Sequence, residues 1–575
     1  MELRRVQSVP LHFHGLRERT GDLTLGQRNI LHWMTSGPEP HYATLGCAVP
    51  LPTEARLPEI MNGIAVLLAR HEGLRTVFDL APVPKQRVLG SGVLPLDVYM
   101  VRDESADPDT VAAAVGAHLR DDGSYEPGRL PMRIALALRQ NTVVACVAGF
   151  SHLVVDDVAL RVVRAELTEL FRSPGVLLRY LERSAASVEV NPSENRRHQP
   201  IDQAVLESTG PMAHLVENSL RRWAQMFSRL PHSQYPAPRS TQTGSISVTL
   251  HSPEAAVALS AVSARTRVSR SSVVLAALCA VLAQRTGRRE IIIPTLSGNR
   301  FNPRLVDYVG TLVQATVAAV DAGGVTFDQL AARTWAAVVD ASRYGMWDID
   351  RMVAQGERID FERGMRFQKE PLFNSTVVEG SPAAESPEPL GPTRIDVQPM
   401  PPTSALIRFD LYEISERVSL RLWTGDASRL PVHDAQAILL AVERLLLSCQ
   451  AGNLSPAEIR QAISLEPIRY GPGWVLLESG WVEVAEVQEL LDAALSPRHA
   501  AVFDEVNGEP LVAYVVATDE VVSPADAHER CMAMLAGRHT AVAPRRYVMC
   551  AAYPADPSDP AAWQTTACSS TQEAH

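Results

Sequence analysis

Residues 141–150 (NTVVACVAGF) form a run of apolar and β-branched residues, the pattern of a strand buried on both faces. The run opens directly into Ser151-His152-Leu153-Val154-Val155-Asp156-Asp157, and apolar residues then recur at helical spacing from 158 to 171. A strand, a short loop and a helix in that order call for a layered α/β architecture, in which the helix covers the sheet that the strand joins. His152 stands where the chain leaves the strand, so its ring can point into a cleft. It can equally be a packed core histidine, with the following Asp capping the helix. The segment alone leaves both readings open.

The same mixture of elements continues along the chain. Residues 54–71 carry Leu57, Ile60, Met61, Ile64, Leu67 and Leu68 on one helical face. Residues 269–288 (SRSSVVLAALCAVLAQRTGR) read as a helix with Ser269 at its start, and 290–296 (EIIIPTL) as a buried strand. The segments 184–202 and 379–402 are polar or proline-rich and read as connectors. No internal repeat of solenoid length is found. A chain of 575 residues exceeds one compact core. The expected domains are two α/β lobes over 1–183 and 184–460, and a small α+β domain over 468–575.

Composition narrows the functions. Apolar residues make up 46% and charged residues 21%, a globular balance. The net charge of -11 argues against nucleic acid as a partner, because phosphate binding needs a basic footprint. The seven cysteines are scattered and never form a C-x-x-C pair, so neither a zinc site nor a disulfide framework is expected. The N-terminal residues lack an apolar core of signal-peptide length and no apolar run reaches membrane-spanning length. The expectation is a cytoplasmic protein with no membrane partner.

Several motifs then fall in a consistent order. Arg70-His71-Glu72-Gly73-Leu74-Arg75-Thr76-Val77-Phe78 resembles the R-H-E-x-L-R-T-x-F signature of nonribosomal-peptide condensation domains, which belong to the chloramphenicol-acetyltransferase-like superfamily. Leu23-Thr24-Leu25-Gly26-Gln27-Arg28 is similar to the opening motif of that family, and 151–157 falls where it has H-H-x-x-x-D-G. Residues 294–300 (PTLSGNR), 308–316 (YVGTLVQAT), 371–374 (PLFN) and 408–411 (RFDL) resemble its later motifs. The resemblance covers roughly residues 20–455. It implies two chloramphenicol-acetyltransferase-like lobes forming a V around a central tunnel, with phosphopantetheine arms of peptidyl carrier proteins delivering an acyl thioester and its acceptor. No permanent cofactor or metal is implied.

Residue by residue, the resemblance makes His152 the candidate catalytic residue, able to take the proton of an attacking amine or alcohol. Ser151 replaces the first histidine of the motif. Asp156 is implied to be structural and to pair with Arg300. Gly310, Asn374 and Ser375 are candidate tunnel-lining residues. Asp157 stands where the family has Gly, and a carboxylate there is expected to narrow the channel and add charge beside His152. Glycopeptide assembly lines contain inactive condensation-like domains, also altered at this position, that recruit oxygenases. The readings are therefore a free-standing condensation enzyme forming an amide or ester in antibiotic biosynthesis, a silent scaffold that recruits a carrier protein or tailoring enzyme, and a coenzyme-A-dependent acyltransferase. Other synthetase subunits are further possible partners.

From Gly471 onward the sequence changes character. Residues 474–487 (WVLLESGWVEVAEV), 500–503 (AAVF), 509–516 (EPLVAYVV) and 543–549 (APRRYVM) resemble the small C-terminal lobe of adenylation domains. That family uses a lysine near the end of the lobe to stabilise the forming acyl-adenylate. Lys85 and Lys369 are the chain's lysines, so the lobe is expected to be degenerate and to serve in packing or docking.

Overall fold

The computed structural model describes residues 3–15, 17–36, 43–121, 128–172, 197–367, 370–377, 391–401, 407–504 and 510–567. Of the two expected connectors, 184–196, 379–390 and 402 lie outside these residues; the described remainder departs from the expectation, since Arg394–Met400 is a strand paired along its length with Ser245–His251 and a helix begins at Pro200. The chain gathers into two compact units. The first takes Met1–Ser219 with Ser297–Gln314 and Gly345–Ile349, and the second takes Leu220–Leu296, Ala315–Tyr344 and Asp350–His575. The first unit is thus larger than residues 1–183, and the C-terminal region shares a unit with the lobe that precedes it.

The first unit is built on the strands β1 (Leu3–His14), β2 (Arg19–Asp22), β3 (Thr44–Ala48), β4 (Thr76–Asp79), β5 (Lys85–Val88), β6 (Ser91–Val101), β7 (Met132–Arg139) and β8 (Thr142–Ser151). Five of them form a sheet in the order β1-β6-β7-β8-β3, and β2, β5 and β4 form a smaller one. Its helices are α1 (Leu25–Thr35), α2 (Leu57–Arg70), α3 (Pro108–Asp121), α4 (Asp157–Arg172), α5 (Pro200–Glu207) and the first half of α6 (Gly210–Phe227). Ile60, Ile64 and Leu67 of α2 and Val163, Leu167 and Phe171 of α4 pack on one sheet face against Leu96, Leu136, Ala148 and Phe150. Val111, Val115 and Leu119 of α3 cover the other face against Tyr99, Ala135, Ala137 and Val147. Each such large aliphatic side chain, fully buried, contributes about 1.5–3 kcal/mol. β8 is therefore buried on both faces, which is why its sequence reads as a continuous apolar run.

The R-H-E-x-L-R signature works as a clasp. The Glu72 carboxylate is almost wholly buried and receives Arg17 at 2.9 Å and Arg19 at 2.6 Å. His71 Nε2 lies 2.8 Å from Glu166 of α4, and Arg197 reaches the same carboxylate at 2.6 Å. The Glu72 backbone N–H donates to Gln199, and Arg19 also pairs with Asp202 of α5. Carboxylates this deep are tolerable because each is paired and hydrogen-bonded, Glu72 by Arg19 and Glu166 by His71.

The second unit has a five-stranded sheet in the order β12-β14-β15-β9-β13, from β9 (Ser245–Ser252), β12 (Leu372–Ser375), β13 (Arg394–Met400), β14 (Ile407–Glu413) and β15 (Val418–Thr424). A two-strand pair joins β10 (Glu290–Ser297) to β11 (Gln314–Asp321). Its helices include α7 (Pro253–Thr266), α8 (Arg270–Thr286), α9 (Phe327–Ser342), α10 (Ile349–Arg363), α11 (Val432–Cys449) and α12 (Pro456–Ile463). α8 is apolar nearly all round because it runs through the core, and the Ser269 side chain caps its start by accepting from the Ser272 N–H. Among the described residues no single helix is long and apolar enough to cross a membrane.

Within the same unit, residues 474–567 fold around a core of their own. The hairpin β16 (Trp474–Leu477) and β17 (Gly480–Glu483) leads into α13 (Val484–Leu495). A sheet follows in the order β18 (Ala500–Phe503), β19 (Val512–Val516), β20 (Arg546–Cys550), with α14 (Pro524–Met534) and α15 (Pro560–Gln564) beside it. Val487, Leu490, Val502, Val515 and Cys531 form that core, and Met365 enters it from beyond α10. The attachment to the preceding lobe is polar and buried. Arg429, 2% exposed, reaches Glu483 at 3.2 Å and bonds Glu486, whose side chain is 3% exposed. Arg239 joins Glu486 at 2.5 Å, and the Thr540 N–H donates to it at 2.9 Å. Burial raises the Glu486 carboxyl, but the Thr540 bonds and Arg429 outweigh that and hold it below the usual range. The His232 N–H donates to Ser479 and the Ala543 N–H to Gly364.

Candidate functional site

Strand β8 carries the chain straight to Ser151, and a tight turn follows. The Val154 and Val155 N–H groups both donate to the Ser151 carbonyl, and the His152 N–H donates to Ala43. Asp156 then starts α4 by accepting from the Ala159 N–H at 2.9 Å. The sequence therefore fixes the turn from both sides, with a buried strand before it and a capped helix after it.

Within this turn the His152 ring has a defined orientation. Its Nδ1 lies 2.9 Å from the Val155 carbonyl. A carbonyl only accepts, so Nδ1 carries the proton and the Nε2 lone pair is left for another donor. Burial pulls the imidazole below its ordinary value, outweighing backbone hydrogen bonding and the charges of Asp156 and Asp157. The ring is thus neutral at pH 7. Thr311 donates its hydroxyl to the His152 carbonyl and is itself fully buried. The Trp33 indole of α1 lies edge-on to the His152 ring, with centroids 6.2 Å apart and planes at 76°.

Asp156, 2% exposed, is saturated with donors. Arg300 grips it from two sides, Nη2 to Oδ1 at 2.7 Å and Nη1 to Oδ2 at 2.8 Å. The Leu312 N–H adds a third contact at 3.0 Å. The second N–H of each Arg300 Nη goes to a carbonyl, Nη1 to Gly298 and Nη2 to Gly310, both at 3.0 Å. All four oxygen lone-pair directions of Asp156 are in use, so the carboxylate holds the turn and the 298–312 segment together and has no capacity left for proton transfer.

The structure places the other candidates as follows. Ser151 is buried; its hydroxyl accepts from the Leu153 N–H at 3.3 Å, and it lines a cleft of about 690 Å³ with Thr44, Asp97, Arg133 and Gly149. Gly310 serves as the carbonyl acceptor for Arg300, and a Cβ there would meet the Tyr308 ring at 2.5 Å. Asn374 and Ser375 belong to the second unit. Asn374 donates to the buried Asp410 at 2.9 Å, a carboxylate that also receives Arg408 and the Trp423 indole, and Ser375 bonds Ser271 at 3.3 Å. Asp157 differs from the expectation of a carboxylate crowding His152. It is the first residue of α4, is half exposed, and turns along the helix to pair with Arg161 one turn on. A helix N-terminus favours a negative charge, and the i,i+4 spacing supplies its partner. Its influence on His152 is that of a nearby charge, the least of the contributions that raise the imidazole pKa. Among the described residues no group of three His, Cys, Asp or Glu is arranged to hold a metal.

Trp33 and Thr311 were not singled out by sequence reasoning. Trp33 lies five residues beyond the Leu23–Arg28 motif, and an aromatic on that helix was the available signal. Thr311 lies within the 308–316 motif, but a threonine there reads as a packing residue.

The condensation-domain family model matches residues 23–388. The phosphinothricin tripeptide synthetase PhsC of Streptomyces viridochromogenes is 25% identical over 362 residues, which is 60% of this chain and 31% of that protein. The chain thus spans about a third of that relative. The SgcC5 protein of Streptomyces globisporus, solved with a naphthyl ethanediol and sucrose, superposes with a TM-score of 0.54 at 18% identity, covering 75% of this chain and 98% of that one. The first condensation domain of the calcium-dependent antibiotic synthetase gives 0.52 at 16%, over 75% and 96%. The X-domain of teicoplanin biosynthesis gives 0.50 at 15%, over 75% and 95%. With a family model matching well over half its length, and with the turn, the paired Asp156 and Arg300 and the two-unit α/β fold in place, the chain belongs to the condensation-domain family.

Proposed function

We propose that this chain condenses a carrier-bound acyl thioester with an amine or alcohol, with His152 as the general base. The observation that carries the reading is the His152 ring itself. Its Nδ1 is committed to the Val155 carbonyl and its pKa is held low by burial, so Nε2 is an unprotonated acceptor at neutral pH. Nε2 takes the proton as the nucleophile attacks the thioester carbonyl, and returns it to the departing phosphopantetheine thiolate. The loaded partners are peptidyl carrier proteins. Asp156, Arg300 and Thr311 position the His152 backbone and take no part in proton transfer. The C-terminal lobe, whose sequence over 474–549 resembles an adenylation small lobe, is read as a packing module without activation chemistry.

His152→Ala should lower product formation from two loaded carriers by about 10²-fold or more while leaving the urea midpoint near wild type. The acid limb of the wild-type pH–rate profile should lie below the ordinary imidazole pKa of about 6.5. Mass spectrometry of the product and a pH series read both. A variant with full turnover would remove His152 from the chemistry.

A second reading is a silent recruitment domain, favoured by Asp157 at the position where the family has Gly and by the likeness to the teicoplanin X-domain fold. Retained binding of a carrier protein or a tailoring oxygenase, with no product from the wild type, would select it.

A further inference from the structure

We propose that the polar face of the second unit's five-stranded sheet holds a binding site for a ligand carboxylate, anchored by Arg421. The site lies within that unit, and the inference is independent of the role given to His152.

Alternation along the strands makes the two faces of this sheet unlike. Val248, Leu250, Phe409, Leu411, Leu420 and Leu422 belong to the hydrophobic core. Thr249, Asp410, Arg421 and Trp423 alternate with them and share the opposite face. β15 runs through the middle of the sheet, between β14 and β9. The register sets Arg421 directly across from Asp410 on one side and from Thr249 on the other.

An arginine directly across from an aspartate ordinarily pairs with it. Asp410, 4% exposed, is already filled. Its Oδ1 receives Arg408 Nε at 2.7 Å and Asn374 at 2.9 Å, and its Oδ2 receives the Trp423 indole N–H at 2.9 Å. The neighbouring carboxylates are committed in the same way, Asp396 to Arg394 at 3.1 Å and Glu413 to Arg417 at 2.9 Å. Among the described residues Arg421 has no carboxylate within ion-pair reach. Its Nε donates a long hydrogen bond to the Thr249 hydroxyl at 3.4 Å, and its guanidinium carbon stands 4.6 Å from the centre of the Tyr412 ring. Both groups are neutral. They hold the partly buried guanidinium in place and leave its charge uncompensated.

That arrangement selects the ligand group. A planar guanidinium matches the two coplanar oxygens of a carboxylate, and a cation already resting on an aromatic ring loses little rotamer freedom when it binds. One uncompensated positive charge balances one carboxylate, whereas a phosphate carries nearly two negative charges. Arg408 provides the contrast. It also lies over an aromatic ring, Trp423 at 5.1 Å, but Asp410 neutralises it.

The test titrates the full chain with hippurate, with its neutral amide and with phenyl phosphate, followed by ligand-observed NMR. Carriers and turnover are not needed, so the result is separate from that of the condensation assay. Hippurate should bind the wild type several-fold tighter than the amide, and added salt should shrink the difference. Arg421→Gln should abolish the preference with the urea midpoint near wild type, since no ion pair is broken. Arg421→Lys should keep part of it, because the charge remains and the fork is lost. Arg408→Gln should weaken it, because Asp410 is then released to pair with Arg421. Equal affinities for acid and amide, no measurable binding of hippurate, or a preference that survives Arg421→Gln would overturn the proposal. Phenyl phosphate binding tighter than hippurate in an Arg421-dependent way would overturn the assignment to a carboxylate.

Discussion

At the scale of single residues, the site is organised by one carboxylate whose acceptor positions are all filled by donors of the protein itself. Asp156 satisfies the Arg300 guanidinium, the Leu312 N–H and the start of α4 at once. Asp156→Ala would leave Arg300, with 9% of its side chain exposed, as a buried unpaired cation. Breaking such a pair costs about 3–5 kcal/mol. The variant should show a urea midpoint lowered accordingly, with turnover per folded molecule reduced as the His152 turn loosens. Wild-type stability with turnover abolished would instead assign Asp156 to the reaction. The difference between Asp156 and its neighbour Asp157 is entirely one of surroundings, since one is enclosed by donors and the other faces solvent and Arg161.

At the scale of elements, α4 explains why a carboxylate is tolerated where the family has Gly. The first turn of a helix presents unsatisfied N–H groups, and a negative charge there is stabilising by about 0.3–1 kcal/mol. The Asp157–Arg161 pair is on the surface and adds little. Asp157→Gly should therefore cost about 1 kcal/mol of stability, from the lost charge and the added backbone freedom. Turnover should stay within a few-fold of wild type, with the acid limb of the pH profile moved slightly down because a charge that raises the His152 pKa is gone. A tenfold or larger gain in turnover would mean that the Asp157 side chain does obstruct the substrate.

At the scale of the whole molecule, the C-terminal lobe is fastened within the second unit by the Arg429–Glu486 pair and its satellites. A lobe held by a buried charge pair keeps one orientation, since any rotation exposes or unpairs both charges. Arg429→Met should destabilise this attachment by about 3–5 kcal/mol and open the 465–475 segment to limited proteolysis. Adding Glu486→Leu should not recover the loss, because Arg239 still pairs with Glu486 in the single variant and the buried Thr540 N–H would lose its acceptor. If Arg429→Met shows wild-type proteolysis and melting, the lobe is held by its other contacts.

The sequence by itself determined the local pieces. The β8 strand, the turn at Ser151–Asp156, the amphipathic α4, the apolar α8 behind Ser269 and the alternation of helix and strand follow from periodicity, β-branched content and capping residues. Each of these acts within a few positions along the chain. The ordered motifs also marked the family, and they named His152, Asp156 and Arg300 as residues to look at. What only the tertiary structure decided is which side chains meet. The enclosure of Asp156 depends on Arg300 and the Leu312 N–H arriving from a distant segment, and the edge-on Trp33 depends on α1 being pressed against Thr311. Glu486 gives no sign in its own segment that Arg429 will bury against it. Pairings between residues far apart in sequence are set by packing and desolvation once the chain has closed on itself, and those forces leave no periodic trace in the order of the amino acids.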